Sequence, residues 1–340
     1  MVVLRVDDAE AVVAHEPGSE DRSDEGGIRS WRLPGNPPVA STARALPERL
    51  HHTTDTTERS TYDPNSSVTV IKRFGSGLQC SLNLMTYALA ENNAERQQVL
   101  AECLDPLTLP VIDRIPKASI TRILDLGCGQ GNTTRMLAEH FPDASVTGLE
   151  YDPALVAHAA AHTGNRSGVH FEQGDASRIS HSDASFDLVF TRYLLTHNPD
   201  PAAVVRGMLR VARPGGYAVA FEPDASIDYC YPPHPCMDLV NYLWNRAFPH
   251  PRIGRELVPM FRTFGPSRLE AGAVIGMDHD RGVYGRFYRL TIEALGPVVE
   301  ERNLMAQADY AALVADLRRL EDDPQTIYFK FPDVWVIAQP

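Results

Sequence analysis

The sequence predicts a doubly wound α/β fold with a seven-stranded, mostly parallel sheet, and three observations carry that expectation. A short apolar run, Ile123-Leu124-Asp125-Leu126, leads into Gly127-Cys128-Gly129-Gln130-Gly131 and then into the helical pattern of Arg135-Met136-Leu137-Ala138. Further short apolar runs at 146–149, 169–171, 186–190 and 217–221 alternate with stretches of helical period. These runs end close to polar residues, and ligands of open α/β sheets sit beyond the carboxyl ends of the strands.

The 340 residues suffice for one large domain with additions. Apolar residues make up 43% and charged residues 22%, the balance of an ordinary soluble chain. A formal net charge of −12 without any Lys/Arg-rich run disfavours a nucleic-acid substrate. The five cysteines (80, 103, 128, 230 and 236) form no metal pattern and fit a reducing, cytoplasmic compartment. No apolar run approaches membrane-spanning length, and the first residues lack the order of a signal peptide. Residues 1–66 read as a disordered tail, rich in acidic residues, Ser, Thr, Pro and Gly. Residues 67–118 read as an N-terminal helical cap, and 119–340 as the main domain with an insertion at about 224–267.

Glycines at alternate positions in the 127–131 loop let the chain turn sharply and let a ligand approach bare backbone. The pattern is acidic-x-Gly-x-Gly-x-Gly, with Asp125 two residues ahead of the first glycine, and so differs from the dinucleotide fingerprint. DLGCGQG resembles the cofactor loop of class I S-adenosylmethionine-dependent methyltransferases, in particular the small-molecule, type 11-like group. The likeness continues through VTGLEYDP, FEQGDA, SFDLVFTRYLLTHNPDP and LRVARPGGYAVAFEPD and covers roughly residues 70–338. It implies a Rossmann-like sheet of strand order 3-2-1-4-5-7-6, S-adenosylmethionine as cofactor, and methyl transfer as the activity.

Taken in order, TYDPNSSVTVIKRFG begins the ordered part, and Tyr62 is expected to approach the substrate. Residues 78–103 look helical, with Leu82, Met85 and Leu89 on a core or subunit face. Tyr87 stands where similar enzymes place a tyrosine beside the cofactor's methionine end, although it also reads as a packed aromatic. Glu95 and Arg96 read as surface or capping residues. Leu104 to Arg114 continue as helix, with boundaries blurred by Pro106 and Pro110. The resemblance assigns Asp125, Gly127, Cys128, Gly129 and Gly131 to the cofactor. At the end of the second strand Glu150 offers acceptors to a ribose diol, while Tyr151 either covers the adenine or simply packs. Asp152-Pro153 then caps a helix. After the third strand Asp175 and Ala176 are placed for the adenine. Thr191 and Arg192 begin the segment expected beneath the cofactor's methionine part, and His197 is either a loop-fixing residue or a proton-transfer group. Pro201 to Arg210 form a helix with Val204, Val205, Met208 and Leu209 inward, and RPGG turns into the fifth strand.

Beyond Glu222-Pro223-Asp224 the sequence stops being generic. An insertion rich in Tyr229, Tyr231, His234, Tyr242, Trp244, Phe248 and His250 suggests an aromatic lid. Tyr229, Tyr231, His234, Trp244 and Arg255 are its candidate substrate residues, with Arg252 and Arg255 meeting an acidic acceptor or merely positioning a helix. Gly272 to Met277 reads as the sixth strand, followed by His279-Asp280 as a second candidate proton-transfer site. Helices at Tyr284 to Leu295 and Gln307 to Leu320 precede a seventh strand, Val334 to Ala338, in a final antiparallel hairpin. There is no clear two-His-carboxylate set, so no metal is expected, and no Asn-Pro-Pro-Tyr segment follows the fourth strand. The expected acceptor is a small, partly apolar or aromatic metabolite, methylated on oxygen, nitrogen or activated carbon. Lipid or quinone precursors and a non-catalytic cofactor-binding subunit remain as alternatives, and a homodimer is left open.

Overall fold

A computed structural model describes residues 94–164, 166–278 and 282–340. The expectations for residues 1–93, including Tyr62 and Tyr87, and for His279-Asp280 fall outside the described residues. The chain begins with helix α1 (Ala94–Ile112), followed by β1 (Arg122–Leu126), α2 (Asn132–His140), β2 (Ser145–Glu150), α3 (Pro153–Thr163) and β3 (Val169–Gln173). Next come β4 (Phe186–Arg192), α4 (Pro201–Val211) and β5 (Ala212–Pro223). The insertion holds β6 (Tyr229–Tyr231), α5 (Cys236–Ala247) and α6 (Leu257–Thr263), and leads to β7 (Arg268–Val274). The last part contains β8 (Met277–Asp278), α7 (Val283–Ala294), α8 (Gly296–Glu301), α9 (Gln307–Asp322), β9 (Ile327–Phe329) and β10 (Asp333–Gln339).

Seven strands form one sheet in the order β3-β2-β1-β4-β5-β10-β7. The first five are parallel, and β10 runs antiparallel between β5 and β7. Counted along this sheet the order is 3-2-1-4-5-7-6, as the sequence implied. Ile123, Leu124 and Leu126 of the central strand are fully buried, because helices cover both faces. Each such side chain contributes roughly 1.5–3 kcal/mol through burial. One face packs α1, α2, α5, α7 and α9; the other packs α4 and α6. Helix α4 shows how the sequence directs this packing. Asp200 caps it by accepting from the Ala203 N–H at 2.9 Å, Pro201 occupies its first turn, and Val204, Val205 and Met208 are buried. Leu209, expected inward with them, is half-buried.

At the opposite end of the sheet from the strands' carboxyl ends, Asp187 ties several pieces together. Its Oδ2 accepts from the Thr121 N–H (2.8 Å), the Thr121 hydroxyl (2.7 Å) and the Arg122 N–H (2.9 Å), and its Oδ1 pairs with Arg213. Burial by itself would raise its pKa, but these donors outweigh it and hold the carboxyl at about 2.

The helical reading of the stretch after Leu104 holds as far as Ile112, and two other local expectations need correction. Helix α1 runs unbroken through Pro106 and Pro110. Each proline removes an amide donor, but buried Val99, Leu104, Val111 and Ile112 hold the helix on the core. The sixth strand is Arg268–Val274, earlier than read, because polar Arg268 and Glu270 on this edge strand disguise its pairing with Gln339 and Ile337. The segment after it belongs to a second sheet of order β6-β9-β8. Consequently β7 and β10 are neighbours but not a hairpin, since β8, α7, α8, α9 and β9 lie between them in the chain.

Candidate active site

The carboxyl ends of the parallel strands open onto a cavity of about 820 Å³, a size suited to a cofactor and a small ligand together. The glycine loop forms part of its floor. Gly127, Gly129 and Gly131 have φ of +69°, +54° and +81°, a region that side chains disfavour. A Cβ on Gly127 would lie 2.7 Å from Leu194, and one on Gly131 would lie 2.8 Å from Phe171, so both glycines serve close packing. A Cβ on Gly129 would meet nothing within 4 Å. That glycine faces open space, where bare backbone can meet a ligand. The Gly127 and Cys128 N–H groups fold the loop back onto the Leu149 carbonyl at 2.8 and 3.1 Å.

Glu150, Tyr151, Asp175 and Ala176 line the same end of the cavity. Glu150 accepts from the N–H groups of Gly129 (2.9 Å), Tyr151 (2.8 Å) and Asp152 (3.1 Å), which locks the loop to the end of β2. Asp175 accepts from the Ser177 N–H at 2.8 Å and pairs with Arg178 at 3.0 Å. The Tyr151 side chain stands largely exposed. Cys128 also lines the cavity; burial pushes its thiol up, so it stays protonated and is no nucleophile.

Three expected cofactor residues lie behind this surface rather than on it. Asp125 is 1% exposed and accepts from the Thr134 hydroxyl at 2.6 Å. Burial raises it to about 7, despite that hydrogen bond. Thr191 is fully buried and donates to the Leu126 carbonyl at 3.2 Å, bridging β4 to β1. Gly131 packs beneath Phe171. Arg192 does line the cavity, held by Asp105 at 2.7 Å and Thr108 at 3.2 Å.

Trp244, Phe248, Phe287 and Phe331 also line the cavity and cluster there, with the Trp244 ring 5.3, 6.2 and 6.3 Å from the other three. His197 joins this cluster with its ring 5.1 Å from that of Phe248. Burial, and then the charge of Arg96, lower its pKa to about 4, which leaves the imidazole neutral near pH 7. The turn carrying His197 is organised by Glu222 at the end of β5, a fully buried carboxylate. It accepts from the N–H groups of Leu194 (2.9 Å), Leu195 (2.9 Å) and Thr196 (3.2 Å). Tyr193 has a φ of +58°, and its hydroxyl is anchored on Asp333.

Sequence reading gave Arg96 as a surface or capping residue, whereas it is 6% exposed and lines the cavity. Only its position on the inward side of α1 distinguishes it from surface arginines, and helical phase counted back from Val99 was the signal that could have found it. The supporting role of Glu222 left no motif at all.

The aromatic insertion divides. Trp244 reaches the cavity, but Tyr229, Tyr231 and His234 do not line it. Tyr229 and Tyr231 are 48% and 62% exposed on β6, where Tyr229 stacks on Phe329 with ring centroids 4.6 Å apart. Strand pairing with β9 turns this ribbon away from the cleft. His234 Nδ1 accepts from the Cys236 N–H at 3.2 Å, at the start of α5. Arg255 makes two 2.8 Å bonds to Asp224 and positions the chain beside β5, also off the cavity. Among the described residues no group of three His, Cys, Asp or Glu side chains could hold a metal ion.

Comparison with known proteins agrees with this geometry. A family model described as a methyltransferase domain matches residues 123–216. A trans-aconitate 2-methyltransferase of Methylobacterium nodulans is 34% identical over 123 residues, covering 35% of this chain and 46% of that protein. A 2-methyl-6-phytyl-1,4-hydroquinone methyltransferase of Synechocystis is 36% identical over 108 residues, covering 32% of this chain and 33% of its own. The alignments span about half, or less, of the length of such relatives. A solved structure from Anabaena variabilis, described as a methyltransferase of an antibiotic biosynthesis pathway, shares the fold. Its TM-score is 0.50 at 17% identity, covering 69% of this chain and 97% of that one. Residues 123–216 therefore match a methyltransferase domain, set in a sheet of the same fold.

Proposed function

We propose that the protein transfers a methyl group from S-adenosylmethionine to oxygen, nitrogen or an activated carbon of a small, partly apolar or aromatic metabolite. The observation that carries this reading is the cavity. Its lining joins the glycine loop and two carboxylates at strand tips with an aromatic cluster of Trp244, Phe248, Phe287 and Phe331. The residues present suit the cofactor. Gly129 leaves its backbone bare, and Glu150 and Asp175 line the same cavity with acceptor oxygens that suit a ribose diol and an adenine amino group. The cofactor supplies an electrophilic methyl group. The protein's share is to bind, align and exclude water. Glu222 fixes the 194–196 turn, Arg192 is held by Asp105 and Thr108, and the aromatic wall receives the acceptor's apolar part. His197 faces that space as a neutral imidazole, able to accept a proton or a hydrogen bond from the nucleophile.

The test is incubation of the full chain with a metabolite extract and methyl-labelled cofactor, reading product mass and labelled atom. Label should enter a small molecule. Label found only in protein or nucleic acid would overturn the substrate class, and failure to bind S-adenosylhomocysteine would overturn the cofactor site.

A further inference from the structure

Behind the aromatic cluster of the cavity stands a buried carboxylate. Asp228, just before β6, is 2% exposed and is not itself part of the cavity lining. Asn241 of α5 brackets its backbone, accepting from the Asp228 N–H and donating to the Asp228 carbonyl, both at 2.8 Å. The carboxylate points inward, while Ile227 and Tyr229 on either side remain exposed. Asp228 Oδ1 accepts two bonds, from the Tyr288 hydroxyl of α7 at 2.5 Å and from the Phe331 N–H, between β9 and β10, at 2.8 Å. One residue therefore ties α5, α7 and the β9–β10 connection together.

Each of these elements brings a ring to the cavity. Phe331 lines it, and Tyr288 adjoins the lining residue Phe287, with ring centroids 5.4 Å apart. Trp244 of α5 is the third. Its indole N–H lies close enough to Asp228 to favour the charged carboxyl, yet it makes no hydrogen bond of ordinary geometry, and neither does Asp228 Oδ2. Both atoms are buried. An indole N–H can only donate and a carboxylate oxygen only accept, so a small adjustment of the ring satisfies both groups, which buried polar atoms normally require. The surrounding charges are few. Lys330 faces Asp228 from the β9–β10 connection, but its Nζ is committed to both oxygens of Asp333 at 2.7 Å. Burial keeps the Tyr288 phenol protonated, and likewise the thiol of Cys230 on β6. Burial also raises Asp228 to about 6, against the pull of Tyr288, Phe331, Lys330 and Trp244, which leaves it a carboxylate at pH 7.

We propose that Asp228 is a positioning residue for the methyl acceptor: its carboxylate draws the Trp244 N–H onto Oδ2 and so sets Trp244, Phe287 and Phe331 as the surface that receives the acceptor's apolar part. Asp228 touches no reacting atom. Its effect falls on acceptor binding, because rings that lose their anchor present a poorer apolar surface without disturbing the glycine loop or the carboxylates beside it. The role rests on the methyltransferase reading, although the contact between Asp228 and Trp244 is open to test without turnover.

The full-length chain is labelled with nitrogen-15 at its indoles, and the Trp244 resonance is assigned with Trp244→Phe. Between pH 8 and 5 the Trp244 indole proton should move upfield as Asp228 takes up a proton, with a midpoint near 6. Asp228→Asn should abolish that titration, and Tyr288→Phe, which removes one donor at nearly constant shape, should raise its midpoint. Methyl transfer is then followed with labelled cofactor and a dilution series of metabolite extract at pH 7.5. Asp228→Asn should need at least ten-fold more extract for half-saturation, with a plateau rate within three-fold and S-adenosylhomocysteine affinity within two-fold of the parent. A Trp244 resonance that does not titrate in the parent, a titration that survives Asp228→Asn, or a variant that loses cofactor affinity with half-saturation unchanged would each overturn the proposal. The parent and Tyr288→Phe titrations decide the contact even if Asp228→Asn does not fold. Failure of the parent to bind S-adenosylhomocysteine or to move any label would instead count against the methyltransferase reading.

Discussion

At the scale of single residues, His197 makes the sharpest prediction. Its lowered pKa comes first from burial and then from Arg96, so the folded protein keeps the imidazole neutral until the pH falls to about 4. If the ring accepts a proton during transfer, kcat should stay level from pH 8 down through 6.5 and decline only near 4. His197→Asn should lower kcat, by about 10²–10⁴-fold where proton removal is needed, without the same loss in cofactor affinity. A pH–rate profile with an inflection near 6.5 that vanishes in the variant would mean that the ring is solvated during turnover. The two carboxylates proposed to meet the cofactor differ in what else they hold. Asp175→Ala should weaken S-adenosylhomocysteine by roughly 1–3 kcal/mol, the cost of an unsatisfied buried donor. Glu150→Ala should cost at least as much, because Glu150 also anchors Gly129, Tyr151 and Asp152. Calorimetry showing unchanged affinity for both would displace the cofactor from this end of the cavity.

At the scale of elements, the turn after β4 depends on one side chain from the next strand. Glu222 accepts three backbone N–H groups, and burial pushes its pKa up to about 8 against their pull. Above pH 8, where the carboxyl is ionised, Glu222→Gln puts an amide NH2 in place of an acceptor oxygen, so a donor confronts a donor. The expected result is a loss of about 1–3 kcal/mol in urea unfolding, with weaker S-adenosylhomocysteine binding as Tyr193 to His197 lose their support. Unchanged stability would assign the turn to packing alone. This element also shows why sequence reading succeeds in some places and fails in others. The glycine loop, Glu150 and Asp175 were readable because adjacent residues impose their geometry, with positive φ at three glycines and carboxylates at strand tips. Glu222 was not, since it acts through the N–H groups of residues 194–196, distant in the chain, and neither was the burial of Arg96 on the cavity. The exposed tyrosines of β6 mark the converse error: aromatic density predicted a lid, but pairing of Tyr229 with Phe329 sets that ribbon in a separate sheet.

At the scale of the whole molecule, the sheet carries its ligand chemistry at one end and a structural anchor at the other. The anchor is Asp187, which joins the segment entering β1 to Arg213 in β5, while the strand it sits on delivers Arg192 to the cleft. Its pKa in the folded protein, about 2, lies below the ordinary 3.8. The stabilisation from this depression is fully present above about pH 4 and is lost as the pH falls through 3.8 toward 2. The depression corresponds to about 2 kcal/mol. Asp187→Asn keeps the shape but removes the charge, so the variant should be less stable than the parent by about that amount at pH 7. The difference should shrink as the pH is lowered toward 2, where the folded parent is about half protonated and the unfolded chain almost fully so. Other acidic groups titrate in both proteins and cancel in the comparison. Urea unfolding of the pair at pH 7, 4 and 2.5 is the measurement. A stability gap of constant size across that range would show that Asp187 holds the base of the sheet through its shape and neutral hydrogen bonds, with no contribution from its charge.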